Sequence, residues 1–538
     1  MELFRVLCVI RGWLPPLETA LDAPAGHAYA AKKLMTKQNS PIGRRDFLRR
    51  AGCGVLAVSL FPRLGKTAGT GFQGSESASA KATADKKPNI LFILADQWRA
   101  SAFGYTGDPN VKTPQIDKLA AQSLNFVNAV SVCPVCTPYR AALMTGRFPT
   151  TTGMFLNDLY LPDDELCLGE VFRDAGFETG YIGKWHLDGH GRSAFIPPER
   201  RQGFDYWKVA ECDHDYNHSH YYTGNSPEKK FWPGYDSYAQ TADAQAWLRD
   251  HVQSAKPFIL CVAFGTPHFP HATAPDDLKA LYPPEKLTLA ANVAPEFEQP
   301  ARRELQGYYA HCTALDRCVG DLLATLKQTG LLEKTIVIFT SDHGEMMGAH
   351  GVRPSLKQWP HDESAHIPFL LRHPRQPARQ VTTPINVTDL LPTLCGLAGV
   401  PVPKTCEGED LSAVVTGAGV GPDRAALLMN VSPFIPNLEE YRGIRTSRYT
   451  FVRNLAGPWL LFDNQADPLQ QHNLVGVNEH AALQKDLDAR LQTELKKIGD
   501  DFRPRQYYLD KWGYTIAKHG SIAYNPGAPV QTPRRLKH

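Results

Sequence analysis

Short unbroken apolar runs alternate along the chain with longer segments in which apolar residues recur at every third or fourth position. The unbroken runs cover residues 89–95, 258–264 and 335–340, and the helical patterns cover 115–124, 137–146, 237–253 and 303–329. Runs of this length are typical of strands that are buried on both faces. Strands that alternate with helices predict an α/β fold, in which a mixed, mainly parallel sheet is sandwiched by helices.

The pattern changes beyond a proline-rich stretch near residues 400–408. Residues 441–452 and 459–463 predict strands there, and residues 478–498 predict a closing helix. We therefore expect a main domain over residues 86–405, a smaller C-terminal α+β subdomain over 406–510, and a tail or surface strap over 511–538.

The first 85 residues are expected to be a leader and a linker. Arg44-Arg45 precedes a weak apolar run over residues 55–61, which is typical of a twin-arginine export signal. A basic amphipathic helix is the alternative interpretation. Residues 1–34 fit poorly in front of such a signal, so Met35 is a candidate for the true start. The signal predicts a protein that the export machinery delivers to the periplasm or the extracellular space.

Composition and charge exclude several classes of protein. Lys and Arg number 58 against 55 Asp and Glu, and a formal net charge of +3 argues against a nucleic-acid-binding protein. A hydrophobic fraction of 43% with 21% charged residues is ordinary for a packed globular protein and excludes a disordered or fibrous chain. No apolar stretch approaches the roughly 20 residues that a membrane span needs. The 11 cysteines are too scattered for a disulfide scaffold.

Polar side chains follow the three apolar runs and a further short strand predicted over residues 179–182. In open α/β sheets, ligands bind beyond the carboxyl ends of the strands. A single aspartate at such a point is more often a helix cap, but four such groups are harder to explain in that way. We therefore expect one shared crevice. The four groups are Asp96 with Gln97, Lys184 with His186, His268 with His271, and Asp342 with His343.

Cys136 lies just ahead of a predicted helix. Thr137 is a suitable N-cap and Pro138 a suitable first helical residue, and Arg140 follows within reach of the Cys136 side chain. A helix N-terminus attracts anions through its free N–H groups. A nucleophile at this point, beside an arginine, suits a sulfate or phosphate oxyanion. Composition alone favours a buried structural cysteine instead.

The segment Cys136-Thr137-Pro138-Tyr139-Arg140 resembles the Cys-x-Pro-x-Arg signature of the type I sulfatases. The resemblance extends over about residues 88–475. It implies the alkaline-phosphatase-like fold, a catalytic domain over residues 86–405, and hydrolysis of a sulfate ester, with a sulfated saccharide as the expected substrate. Further matching segments are 89–96, Gly183-Lys184-Trp185-His186, Thr340-Ser341-Asp342-His343-Gly344, and Phe462-Asp463 with Asp467-Pro468.

The resemblance also implies a covalent mechanism. A maturation enzyme, the formylglycine-generating enzyme, would convert Cys136 to Cα-formylglycine. One hydroxyl of the hydrated aldehyde attacks sulfur, and the second later expels sulfate. The resemblance implies that Arg140 is part of the signal that the maturation enzyme reads, and that Lys184 and Lys357 bind the sulfate. It also implies that His186 assists the diol and that His268 protonates the leaving oxygen.

One divalent cation is implied as well. By the resemblance its ligands would come from Asp96, Gln97, Asp342 and His343, together with the modified Cys136. Oxygen donors favour Ca²⁺. A histidine nitrogen is a poorer Ca²⁺ ligand, so Mg²⁺ and Mn²⁺ are alternatives, and His343 could also lie outside the ligand set.

Three other functions remain open at this point. The first is a phosphonate or phosphate ester hydrolase of the same superfamily. The second is a non-catalytic anion-binding protein in which Cys136 stays unmodified. The third is a thiol hydrolase, which would leave Asp96 and Asp342 without a role. Residues 212–222, dense in His, Asp and aromatic residues, are expected to line the substrate entrance; a separate metal site and a structural loop are the alternatives.

Overall fold

The computed structural model describes residues 87–417, 421, 423–524 and 528–534. The leader expected over residues 1–85, with its twin-arginine motif, lies outside the described residues. Among the helices of the described ranges, none combines the length and apolarity required to cross a membrane.

The strands form three sheets. A ten-stranded sheet has the order β11-β2-β10-β9-β1-β8-β4-β5-β6-β7, β12 pairs with β3, and β13 to β16 form an antiparallel sheet. The strands are β1 (Asn89–Asp96), β2 (Leu124–Phe126), β3 (Ala129–Val130), β4 (Glu178–Lys184), β5 (Tyr206–Ala210), β6 (His220–Thr223), β7 (Lys230–Phe231), β8 (Phe258–Pro267), β9 (Thr335–Ser341), β10 (Phe369–Arg372), β11 (Arg379–Val381), β12 (Ile385–Asn386), β13 (Ala426–Asn430), β14 (Tyr441–Arg445), β15 (Tyr449–Asn454) and β16 (Gly457–Asp463).

Helices cover both faces of the large sheet. Its five central strands, from β9 to β5, are parallel to one another. Along β1, Ile90 and Phe92 belong to one apolar core, whereas Leu91 and Ile93 belong to a second core on the opposite face. The helices are α1 (Pro114–Ala120), α2 (Cys136–Thr145), α3 (Pro149–Thr152), α4 (Leu168–Asp174), α5 (Asp236–Asp250), α6 (Asp276–Lys279), α7 (Glu298–Gln328), α8 (Asp362–Ala365), α9 (Leu390–Ala398), α10 (Ser412–Thr416), α11 (Ala481–Lys497) and α12 (Arg505–Trp512).

The predicted fold class, a mainly parallel sheet between helices with a smaller C-terminal subdomain, is confirmed. The single strand predicted over residues 441–452 is wrong, because the chain turns between β14 and β15. Thr446 makes this turn: its N–H donates to Tyr449 O at 2.8 Å, and its Oγ1 accepts from Tyr449 N at 2.8 Å. The helix predicted over 115–124 ends at Ala120, since Leu124 pairs with Leu371 in the sheet. Helix α12 spans residue 510, where we expected the subdomain to end.

Candidate active site

The carboxyl ends of four neighbouring strands meet beside a cavity of about 300 Å³, which Lys184 and His268 line. In β1 and β9, Ala95 pairs with Ser341, so Asp96 and Asp342 follow at the same level of the sheet. Lys184 is the last residue of β4, and His268 follows β8 directly. The shared crevice expected from the sequence is therefore present, because parallel strands end at one edge of the sheet.

Cys136 is the first residue of helix α2, and its side chain borders the cavity. Thr137 is not the N-cap that we expected. Its hydroxyl donates to His186 O at 3.0 Å, and its backbone N–H donates to Asn157 Oδ1 at 3.0 Å. The first helical residue is Cys136 instead of Pro138, two residues earlier, so Cys136 lies within the first turn rather than ahead of it.

The Cys136 side chain is 1% exposed and meets groups of both charges. Lys357 Nζ lies 3.1 Å from its sulfur and His343 Nε2 lies 3.3 Å away. Burial and Asp96 would raise the pKa of the thiol, but Lys184, Lys357 and His343 together hold it well below its usual value. The surroundings of residue 136 therefore stabilise negative charge on an atom attached to its Cβ.

Two fully buried carboxylates lie behind Cys136. Asp96 accepts from Lys184 Nζ at 2.6 Å and from Arg140 at 3.1 Å, and Asp342 lies 3.4 Å from the same guanidinium. Burial and the neighbouring Asp96 raise the pKa of Asp342 to about 6. Arg140 thus contacts the carboxylates and donates to Lys184 O at 2.7 Å. Its bonds go to these groups, whereas the sequence suggested that it reaches the Cys136 side chain.

The donor chemistry at this point fits a divalent cation. Ligand atoms of Asp96, Cys136, Asp342 and His343 all lie within 4.8 Å of one another. Two carboxylates and one imidazole are a donor set that Ca²⁺, Mg²⁺ and Mn²⁺ accept to different degrees. Gln97 lies beside them, with its amide oxygen 3.2 Å from Lys357 Nζ and its amide nitrogen donating to Glu345.

His268 is held between a backbone oxygen and a lysine. Its Nδ1 lies 2.7 Å from Phe269 O, which can only accept, so Nδ1 carries the proton. Nε2 therefore accepts from Lys357 Nζ at 3.1 Å. Burial, Lys357 and the stacked ring of His214 keep the pKa of His268 well below its usual value. The imidazole is neutral in the free site, and a proton for a leaving group has to reach Nε2.

The pKa of His186 is shifted in the opposite direction to that of His268. Its Nε2 lies 3.2 Å from Asp158, which is also held by Arg192 through bonds of 2.8 and 2.9 Å. Burial would lower the pKa of His186, but Cys212 and Asp158 outweigh it and raise the pKa to about 10. The positive charge that this favours on His186 is paired with the negative charges of Cys212 and Asp158 beside it.

The structure brings the predicted site residues other than His271 to this region and adds several that the sequence analysis missed. Asp158, Arg192, Ser521 and Tyr524 border the cavity although no motif marks them. His271, in contrast, bonds Glu304 at 2.7 Å. In the loop of residues 212–222, His214 lines the cavity as expected, and within the described ranges the group around Cys136 is the only potential metal cluster found.

Comparisons with known proteins agree with this geometry. The profile of the family described as Sulfatase matches residues 88–400, and the profile described as N-sulphoglucosamine sulphohydrolase, C-terminal, matches residues 348–497. An ulvan-active sulfatase of Formosa agariphila is 54% identical over 458 residues, which cover 83% of the chain and 89% of that protein. An endo-4-O-sulfatase of Bacteroides thetaiotaomicron is 30% identical, and the match covers 82% of this chain and 98% of that protein.

Solved structures show the same architecture. A Bacteroides fragilis protein assigned to the sulfatases superposes with a TM-score of 0.71 at 31% identity, over 81% of this chain and 100% of its own. A phosphonate monoester hydrolase of Agrobacterium radiobacter shares the fold at a TM-score of 0.63 and 23% identity, over 77% of this chain and 96% of its own.

Proposed function

The chain belongs to the sulfatase family and hydrolyses sulfate esters, and we propose that it does so at residue 136 after conversion of Cys136 to Cα-formylglycine. The observation that carries this proposal is the position of Cys136, which lies at the cavity floor within 3.1 Å of Lys357 and 3.3 Å of His343. A formylglycine diol at this position would supply the nucleophile and the second hydroxyl that releases sulfate. The formylglycine-generating enzyme is the partner that this proposal requires.

The remaining residues bind and orient the sulfate ester. Lys184 and Lys357, both at least nine-tenths buried, present ammonium groups to the cavity, where low solvent access strengthens their attraction for a sulfate. His186 lines the same cavity, and Asp158 orients its ring. Arg140 holds Asp96 and Asp342 in place, because both carboxylates accept from its guanidinium.

We propose that Asp96, Asp342 and His343, with Gln97 beside them, hold one divalent cation. When bound, the cation supplies Lewis-acid polarisation of a sulfate oxygen. The two carboxylates favour Ca²⁺, and the His343 nitrogen keeps Mg²⁺ and Mn²⁺ as alternatives.

Removal of divalent cations with EDTA is expected to lower the thermal unfolding midpoint by a few degrees, since the buried carboxylates lose a partner. A cation at 100 times its Kd contributes about 2.7 kcal/mol to the folded state. Titration with Ca²⁺, Mg²⁺ and Mn²⁺ then ranks the ions. The Asp342→Asn variant should lose this response, and an equal midpoint shift in that variant would place the cation elsewhere.

The proposed substrates are sulfated saccharides. One relative is named as an ulvan-active sulfatase, and another is named as an endo-4-O-sulfatase. The cavity combines the positive groups of Lys184 and Lys357 with the aromatic rings of Phe269 and Tyr524, which suits a sulfated sugar. We further propose twin-arginine export to the periplasm or beyond, which rests on Arg44-Arg45 and the apolar run over residues 55–61.

Peptide mass spectrometry across Cys136 tests the proposed function most directly. The protein is produced together with a formylglycine-generating enzyme, and sulfate release is measured on the same sample. We expect the mass loss of a thiol-to-aldehyde conversion, in proportion to the activity. An intact thiol in active protein would overturn the proposal.

His268→Ala is expected to slow release of sulfate from alkyl and sugar esters by about 10²–10⁴-fold, because their leaving oxygen needs a proton. Release from 4-nitrophenyl sulfate should fall far less, since nitrophenolate leaves without protonation. His472→Ala is the control, because its side chain is 81% exposed and His472 is not among the residues that line the cavity. Equal losses on both ester types would remove the proton-donor role from His268.

A further inference from the structure

Three side chains near the C-terminus border the cavity, although they lie far from every site motif in sequence. His519, Ser521 and Tyr524 belong to residues 514–524, which we call the C-terminal strap. We propose that this strap forms the subsite for the sugar residue that carries the sulfate. The inference rests on the proposed hydrolysis of sulfated saccharides and adds the residues that recognise the sugar.

Ser521 provides the first argument. Its side chain is 5% exposed, and among the residues that the structure describes its hydroxyl has no hydrogen-bond partner, although Ser521 borders the cavity. A buried hydroxyl without a partner is costly, so such groups are rare and need an explanation. A sugar hydroxyl in the cavity would supply the missing hydrogen bond.

Tyr524 provides the second argument for the sugar subsite. The Arg192 guanidinium stacks on its ring at 3.8 Å, and Asp158 holds that guanidinium through two hydrogen bonds. The ring is therefore fixed, yet 39% of the residue stays exposed. A fixed, partly exposed aromatic ring offers an apolar surface to the C–H face of a sugar at a small entropic cost. The neighbouring ring of His519 meets it edge-on at 6.2 Å.

The strap is anchored by packing on the main domain. Tyr514 is buried against Phe155 and donates to Gly153 O at 2.9 Å. Ile516 pairs with Ile522 in an antiparallel bridge, and Ile522 is 1% exposed. These contacts place Ser521 and Tyr524 on the cavity in the free protein, so the subsite is formed before the saccharide binds.

The position of the strap separates sugar recognition from sulfate recognition. Lys184 and Lys357 lie beside Cys136 on the cavity floor, whereas the strap residues come from a different part of the chain. A cavity of about 300 Å³ is at the small end of ligand pockets, which suits one sulfated sugar residue. An ester with a small aromatic group would contact Lys184 and Lys357 on the cavity floor and would make few contacts with the strap.

The test compares two substrates, ulvan-derived oligosaccharides and 4-nitrophenyl sulfate, in mature enzyme. Tyr524→Ala and Ser521→Ala should each lower the ratio of kcat/KM on the oligosaccharides to kcat/KM on the aryl sulfate by at least about tenfold, mainly through KM. Tyr507→Ala is the matched control, because this exposed tyrosine of α12 is not among the residues that line the cavity. Its ratio should stay at the wild-type value.

The outcomes separate the two proposals. An unchanged ratio in both strap variants, with wild-type enzyme active on both substrates, overturns the sugar subsite and leaves the sulfatase mechanism intact. Turnover of the aryl sulfate without any release of sulfate from the oligosaccharides overturns the saccharide assignment and the subsite with it. Because the ratio is taken within one protein sample, partial unfolding of a variant cannot imitate the expected result.

Discussion

Cys136→Ala is expected to lower the rate of sulfate release by at least about 10⁴-fold, because it removes the proposed nucleophile while the charged groups around it remain. Alanine leaves Lys357 and His343 without the side chain that they now contact at 3.1 and 3.3 Å. Any residual rate would come from electrostatic stabilisation of the transition state alone. The measurement is inorganic sulfate released from 4-nitrophenyl sulfate by the purified protein.

Cys133→Ala is the matched control, since Cys133 is equally buried and lies three residues earlier. Burial raises the pKa of its thiol to about 12, so it remains a neutral core group. The control should keep most of its activity. Substantial turnover by Cys136→Ala would show that another group attacks sulfur.

Arg140→Met is expected to lower the free energy of unfolding of the cation-free, unmodified protein by about 3–5 kcal/mol, because two buried carboxylates lose their shared guanidinium and Lys184 remains as an ion-pair partner for Asp96 alone. Asp96 and Asp342 are both inaccessible to solvent, and Arg140 contacts each of them. The midpoint of urea unfolding in EDTA measures the loss. Stability is the readout because an effect on maturation would confuse an activity assay.

Arg140→Lys keeps the positive charge without the planar fork and should recover part of the loss. Addition of Ca²⁺ should also recover stability in Arg140→Met, since the cation provides a new partner for the same carboxylates. If Arg140→Met unfolds at the wild-type urea concentration, the carboxylates are not held as ions by Arg140.

The central fold could be predicted because its strands are unbroken apolar runs. Residues 89–95 and 335–340 lie within β1 and β9 almost to the residue, since both faces of these strands are buried. The antiparallel C-terminal sheet was predicted less well. Its turn at Thr446 is made by a threonine hydroxyl and contains neither glycine nor proline, which are the usual markers of a turn.

The floor of the site was predictable for a related reason. Asp96, Lys184, His268 and Asp342 directly follow or end strands, and parallel topology alone brings such residues together. The walls were not predictable. Asp158 and Tyr524 reach the cavity through loops whose path depends on tertiary packing, and a single tyrosine or aspartate carries no signal of its own.

The residues of the C-terminal strap are synthesised after the other residues of the site. Tyr524 leaves the ribosome 388 residues after Cys136 (524 minus 136). Every group proposed to act on the sulfate is therefore translated before the segment proposed to recognise the sugar. A change confined to residues 514–524 can alter which saccharide is accepted while the machinery for sulfur chemistry stays untouched. The residues proposed to recognise the sugar and those proposed to act on the sulfate are thus encoded in separate stretches of one gene.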